Sequence, residues 1–140
     1  MQDEYEDFID NQVFLGMPFD KSMKETQEVI ENVCEENGLN VKVLNREIAS
    51  NSIIEKIQKL IETSEFLIID LTMENPNVYY ELGYADGVGN EGKEILLLAK
   101  DGTDLKFDVK HRTVNKYSNS YDLQKKLQEI LPKFIEGGRV

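Results

Sequence analysis

The run Glu65-Phe66-Leu67-Ile68-Ile69-Asp70-Leu71-Thr72 constrains the fold more than any other part of the chain, because large apolar residues follow one another without alternation and the run ends in polar side chains. A strand with no polar face must be covered on both sides, as a central strand of a parallel sheet is, and its polar end then lies at the carboxyl edge of that sheet. On either side the apolar period becomes helical. Upstream, Ile53, Ile57, Leu60 and Ile61 form a stripe behind Ser52-Ile53-Ile54-Glu55, which has the pattern of a capping box. Downstream, Asn75 is the expected N-cap and Pro76 the first residue of a helix whose inner stripe is Val78, Leu82 and Ala85.

The alternation extends in both directions. Gln12 to Pro18 contains the short apolar run expected of a buried strand, and Met23, Val29, Ile30, Val33 and Cys34 follow with helical spacing between Asp20, a plausible N-cap, and Gly38, a plausible stop. Asn40 to Leu44 predicts a second strand nearer an edge, Glu94 to Ala99 a fourth, and Thr113 to Tyr117 a short fifth. Leu123, Leu127, Ile130, Leu131, Phe134 and Ile135 mark a last helix. Strands alternating with helices imply right-handed crossovers, so the expected fold is α/β: a flavodoxin-like or Rossmann-like three-layer sandwich on a four- to five-stranded parallel sheet. A length of 140 residues suits one domain. It is placed at residues 12–140, behind an acidic stretch at 1–11 that is expected to be either a mobile lead-in or a truncated linker from a larger protein.

Composition narrows the function. A net charge of −11 disfavours nucleic acid as a partner, since duplex binding relies on clustered Lys and Arg. A small anionic ligand remains compatible, because helix N-termini and backbone N–H groups hold phosphate without side-chain charge. One cysteine, Cys34, and one histidine, His111, give no expected metal centre or disulfide, and no apolar run approaches the span of a bilayer. The acidic start lacks the positive charge of a targeting peptide, so the cytoplasm is the expected location.

In open parallel sheets ligands sit beyond the carboxyl ends of the strands. That rule selects Gly16 and the following Met17-Pro18-Phe19-Asp20, the strand end at Asp70 and Thr72, and the helix start from Asn75 through Asn77 to Glu81; the three segments are expected to converge. Gly16 would admit a ligand close to the backbone, Phe19 would stack on a ring, and Asp20 would bond a sugar hydroxyl or simply cap a helix. Glu81, one turn beyond Asn77, is expected on the face of the helix start rather than on the Val78/Leu82/Ala85 stripe, open to the cleft. A carboxylate there suits attack on, or stabilisation of, an oxocarbenium-like sugar, whereas a helix glutamate picked at random is simply solvated.

The segments Val13-Phe14-Leu15-Gly16-Met17-Pro18-Phe19-Asp20, Asp70-Leu71-Thr72 and Asn75-Pro76-Asn77-Val78-Tyr79-Tyr80-Glu81-Leu82-Gly83-Tyr84-Ala85 together resemble the TIR-like and nucleoside 2-deoxyribosyltransferase-like superfamily. The likeness spans most of the chain. It implies that Glu81 is the catalytic residue, as the nucleophile of a deoxyribosyltransferase or as the glutamate with which enzymatic TIR domains cleave the nicotinamide–ribose bond of NAD. Beside it, Asp70, Asn75 and Asn77 are expected to position the sugar and the helix mouth, and Phe19 and Tyr80 to bracket the base or exclude water. At Asn75 the transferases carry an acidic residue and this chain an amide. The stretch from Phe107-Asp108 to Arg112, with Tyr117, resembles the tail of bacterial TIR-like proteins, whose usual setting is defence against phage. The resemblance therefore implies an NAD glycohydrolase or ADP-ribose cyclase using NAD as substrate with no cofactor, self-associating, and fused to or served by a sensor. A deoxyribosyltransferase or nucleotide N-glycosidase is the nearest alternative, and a non-catalytic nucleotide-binding or assembly module is another.

Two rival patterns are weaker. Gly87-Val88-Gly89-Asn90-Glu91-Gly92 spells a dinucleotide fingerprint but closes a helix and enters a strand, the reverse of the required context. A phosphoreceiver would use Asp70, yet it needs paired carboxylates after the first strand and a hydroxyl residue ending the fourth, where this chain has Gly16-Met17-Pro18-Phe19 and Ala99-Lys100.

Overall fold

The structure, a computed structural model, describes residues 8–44, 51–106 and 109–140. The central sheet holds β1 (Ile9–Gly16), β2 (Asn40–Lys42), β3 (Ser64–Asp70), β4 (Ile95–Lys100) and β5 (Val114–Tyr117) in the order β2-β1-β3-β4-β5, every pairing parallel. Four helices connect or follow them: α1 (Lys24–Glu36), α2 (Asn51–Thr63), α3 (Pro76–Gly87) and α4 (Ser120–Gly138). The expected α/β sandwich is therefore observed, with five strands.

The strands bury both faces because two separate apolar layers cover them. Val13, Leu15, Phe66, Ile68, Leu96, Leu98 and Tyr117 face α1 and α4. Phe14, Leu67, Ile69, Leu71, Leu97 and Ala99 face α2 and α3, meeting Ile57, Ile61, Val78, Leu82 and Ala85. The chain leaves β1 towards β2 and later moves from β3 towards β4, so right-handed crossovers put α1 and α3 on opposite faces. The strand order reverses between β1 and β3, which is where open sheets of this order form their crevice.

Local chemistry explains most element ends. Asp20 caps as expected, but it caps a short 3-10 turn, Lys21–Met23, that leads into α1, and its carboxylate accepts from the Ser22 N–H at 3.0 Å. Its two bonds with Ser22, side chain first, hold the Asp20 carboxyl below the ordinary range. Gly38, at φ 76°, supplies the left-handed residue after α1, and Leu39 N–H reaches back to Cys34 O at 2.9 Å while the Leu39 side chain is buried. Cys34 fills the α1 core position expected of it, and burial pushes its thiol up to about 12. Asn75 caps α3 by accepting from Asn77 N–H at 2.8 Å.

Two boundaries differ from expectation. The first strand begins at Ile9 and ends at Gly16 instead of running from Gln12 to Pro18. The cause is partly remote: Glu65 accepts from Asn11 N–H at 2.8 Å, and Arg139, from beyond α4, binds both Glu65 and Asn11. The second concerns Ser52, which lies inside α2 and is not its N-cap, since the helix already includes Asn51; the preceding positions, like Phe107 and Asp108, lie outside the described residues. Among the described residues no helix is long and apolar enough to cross a membrane.

Gly83 offers a direct check on α3. It sits mid-helix on the exposed side, and a Cβ added there meets nothing within 4 Å. Gly83→Ala is expected to stabilise the chain by about 0.5–1 kcal/mol by restricting the unfolded backbone. That corresponds to a rise of roughly 2–4 °C in thermal midpoint, and a fall would show the helix face to be misassigned.

Candidate active site

Gly16 is the last residue of β1 and pairs with Ile69 of β3, so this rung closes the carboxyl edge of the sheet at the point where strand order reverses. Successive β1 side chains alternate faces, and the Cβ direction of Gly16 points to the α3 side. Glu81 occupies that space: a Cβ placed on Gly16 would stand 2.6 Å from its Oε1, with Ile69 Cδ1 at 3.0 Å and Phe14 Cε2 at 3.3 Å. One carboxylate oxygen thus lies against the bare backbone of Gly16, in the space that Ile69 and Phe14 also border, and Glu81 as a whole is 4% exposed.

This corrects the sequence expectation about its face. Glu81 lies three residues after Val78 and four before Ala85, and it is buried together with Val78, Leu82 and Ala85. Residues at those separations share one side of a helix. The apolar stripe therefore contains an acid, placed where α3 crosses the end of β1. A buried carboxylate is costly to desolvate, so its presence on a core stripe calls for an explanation beyond packing.

Several of the other selected residues are engaged with partners of their own. Asp70 is fully buried, but the β3 alternation aims it at the opposite face, where Thr72 N–H donates to Oδ1 at 2.9 Å and the Tyr117 hydroxyl to Oδ2 at 2.7 Å. Burial raises its pKa above the ordinary range, and the Thr72 and Tyr117 bonds oppose that rise. Tyr117 is pushed up as well, by burial and by the adjacent Asp70 charge. Asp70 is thus engaged inside the fold, against the expectation that it reaches a sugar. Phe19 and Asp20 line a cavity of about 420 Å³ whose other walls are Pro18, Lys21, Lys24 and further α1 residues. None of its described walls comes from α3, so the expected convergence of the first loop with Glu81 is not seen there.

Asn75 is half-buried and spends its side-chain oxygen on the cap, and Asn77 is exposed beside it. Tyr80 is 42% exposed and turned towards α2, where its hydroxyl accepts from Gln58 Nε2 at 2.8 Å and its ring lies along that of Tyr84. It braces α2 against α3, a contact the sequence reading had not foreseen. The Tyr84 hydroxyl donates to Glu62 in the same way, and that bond raises its pKa to about 12.

The entry to α3 is tightly held. Thr72 is buried, and Met73 and Glu74 follow it in the left-handed region at φ 70° and 48°. Each such non-glycine residue costs on the order of 1–2 kcal/mol, which surrounding contacts must offset. Those contacts include the Lys106–Glu74 ion pair at 3.1 Å and the bond from Lys106 N–H to the Tyr79 hydroxyl at 3.1 Å. Among the described residues no group of three or more His, Cys, Asp and Glu side chains is placed to hold a metal ion.

The fold is flavodoxin-like. A flavo di-iron protein from Thermotoga maritima, solved as a point mutant, superposes on 94% of the chain with a TM-score of 0.68 at 18% identity, and the chain spans 37% of that protein. Rubredoxin oxygen:oxidoreductase from Desulfovibrio gigas matches over 98% of the chain with a TM-score of 0.63 at 16% identity, and 39% of its own length is covered. The CMP N-glycosidase BcmB of Clostridium botulinum matches over 85% of the chain and 98% of its own length, with a TM-score of 0.61 at 21% identity. No protein-family model and no curated protein matches the chain. At these identities the likeness establishes the fold.

Sequence reasoning missed Tyr117 as the partner of Asp70. The two residues stand on strands separated by β4 and 47 positions apart in sequence, so only the strand order brings them together. The burial of Glu81 was visible in its spacing from Val78 and Ala85, which the apolar pattern alone had hidden.

Proposed function

We propose that this chain cleaves the N-glycosidic bond of a nucleotide, with the Glu81 carboxylate acting at the anomeric carbon. The observation that carries the reading is the burial of that carboxylate on Gly16, at the carboxyl edge of the sheet where the strand order reverses. In the reaction the C1′–N bond breaks with its electron pair leaving on the base. Glu81 bonds to C1′ or faces the oxocarbenium-like centre, and water then supplies the hydroxyl that completes hydrolysis. A carboxylate fixed in a water-excluded position favours a ligand that develops positive charge. It disfavours the phosphate of flavin mononucleotide, which sheets of this order hold at the same crevice.

Within that class NAD is the best candidate. Among the described residues Asp70 is the other buried carboxyl, and it is across the sheet and engaged by Thr72 and Tyr117. With no second buried carboxyl on its face of the sheet among the described residues, Glu81 suits a leaving group that departs without being protonated. The pyridinium of NAD leaves as neutral nicotinamide, whereas cytosine needs a proton from a second group. Support for the wider class comes from the near full-length correspondence with a CMP N-glycosidase and from the superfamily resemblance of the Asn75–Ala85 segment.

The test is to offer the purified chain NAD, cytidine 5′-monophosphate, and deoxycytidine with free adenine, and to follow the released or exchanged base chromatographically. Nicotinamide release is the expected result. Cytosine release alone would move the substrate to a nucleoside monophosphate, and exchange without net loss would make the chain a transferase. No product from any of them, at high chain concentration, would leave a binding module in place of an enzyme.

A further inference from the structure

Glycine at position 16 is not explained by backbone conformation. Positive φ values occur at Gly38, Gly89 and Gly102, and Gly16 is not among them. A strand residue in ordinary conformation gains from having a side chain, and glycine there weakens the strand. Space explains it. A Cβ at Gly38, Gly83, Gly87, Gly89, Gly92, Gly102 or Gly137 meets nothing within 4 Å, whereas at Gly16 it would stand 2.6 Å from Glu81 Oε1. Such a separation is far inside van der Waals contact, so one of the two groups must move.

Ile69 Cδ1 and Phe14 Cε2, at 3.0 and 3.3 Å, wall the same space, leaving a slot floored by the Gly16 backbone. We propose that Gly16 is a positioning residue, whose missing side chain forms the seat that fixes the Glu81 carboxylate over the Gly16–Ile69 rung. The inference rests on the glycosidic-bond reading above and adds a specific division of labour. Gly16 acts on the carboxylate, not on the substrate, which differs from the expectation that its bare backbone receives the ligand.

Gly16→Ala displaces the carboxylate, and a misplacement of about 1 Å is enough to lower kcat roughly 100-fold. Because Gly16 does not itself hold the substrate, KM should stay within about threefold, the pattern of an interaction realised in the transition state. Glu81→Asp withdraws the carboxylate by one methylene and vacates the slot. In that background Gly16→Ala should cost less than about threefold, the coupling expected of residues in contact. Steady-state base release from NAD and from cytidine 5′-monophosphate reads these effects, with Gly83→Ala as a control expected to match the parent. Equal losses from Gly16→Ala in both backgrounds would overturn the proposal. So would a raised KM with kcat kept, which would assign Gly16 to direct substrate contact.

A second readout needs no turnover. With carboxyl-labelled glutamate, the Glu81 resonance is identified by its loss in Glu81→Gln, and Gly16→Ala should shift it and its titration while sparing the other glutamates. An unmoved Glu81 resonance overturns the proposal whatever the kinetics. If the parent chain releases no base, the glycosidic reading fails by itself, and the resonance still decides whether Gly16 seats Glu81.

Discussion

Glu81→Gln is expected to lower kcat for base release by roughly 10³-fold or more, about 4 kcal/mol of transition-state stabilisation, while KM changes little. Glutamine keeps the shape that fills the slot over Gly16 but carries no charge for C1′ to meet. Stability should change far less than activity. Glu81 is almost wholly buried and glutamine is nearly isosteric with it, so the variant should lose no more than about 1.5 kcal/mol. The two measurements together separate function from structure. An inactive variant within that margin of the parent's stability marks a site group, whereas loss of activity that tracks a larger loss of stability would mark a core group. Retained turnover would remove Glu81 from the chemistry altogether.

The layers of this fold were readable because burial on both sides leaves a plain signature. Phe66 to Ile69 and Ile95 to Ala99 are continuous apolar runs, and both become central strands. Helix ends marked by one dedicated residue were equally legible, as at Asn75 and Gly38, because a cap is a local bond between near neighbours. Ser52 shows the limit of that logic, since a capping-box pattern does not by itself fix where the preceding turn begins.

The site was harder to read, for a geometric reason. The rule that ligands gather at the carboxyl edge selected the right end of the sheet but says nothing about its two faces. Alternation along β1 and β3 turns Gly16 to the α3 side and Asp70 to the α1 and α4 side, so residues chosen for one pocket part company. The contact of Tyr80 was hidden for a related reason: the residue next to Glu81 on a helix points about 100° away, and here that direction leads to Gln58 of α2. The spacing of Glu81 from Val78 and Ala85 put an acid in register with the core stripe of α3, and measuring its face from Asn77 instead concealed that.

Asp70 and Tyr117 give the largest expected effect on stability. Lys100 N–H donates to Thr72 Oγ1 at 2.9 Å, and the Tyr117 proton is committed to Asp70 Oδ2, so in the 3.4 Å contact with Tyr117 the donor is the Thr72 hydroxyl. The chain of bonds closes when Thr72 N–H reaches Asp70 Oδ1. Tyr117→Phe leaves the fully buried carboxyl with one donor fewer, a loss of about 2–3 kcal/mol. In a domain of this size that is a fall of roughly 6–10 °C in thermal midpoint. The pH dependence has a definite sign. The folded pKa of Asp70 lies above 3.8, so below 3.8 both folded and unfolded states carry the proton and the group imposes no charge penalty. As pH rises through the raised folded value, the buried carboxylate must ionise and stability is lost. Asp70→Asn cannot ionise, so its urea-unfolding free energy should run parallel to the parent's below 3.8, gain on it between 3.8 and the raised folded value, and run parallel again above that. In Tyr117→Phe the window should extend further upward, because a bond that favours the charged form has gone. Parallel curves for the parent and Asp70→Asn from acid to neutral pH would show that the carboxyl of Asp70 is not desolvated in the folded chain.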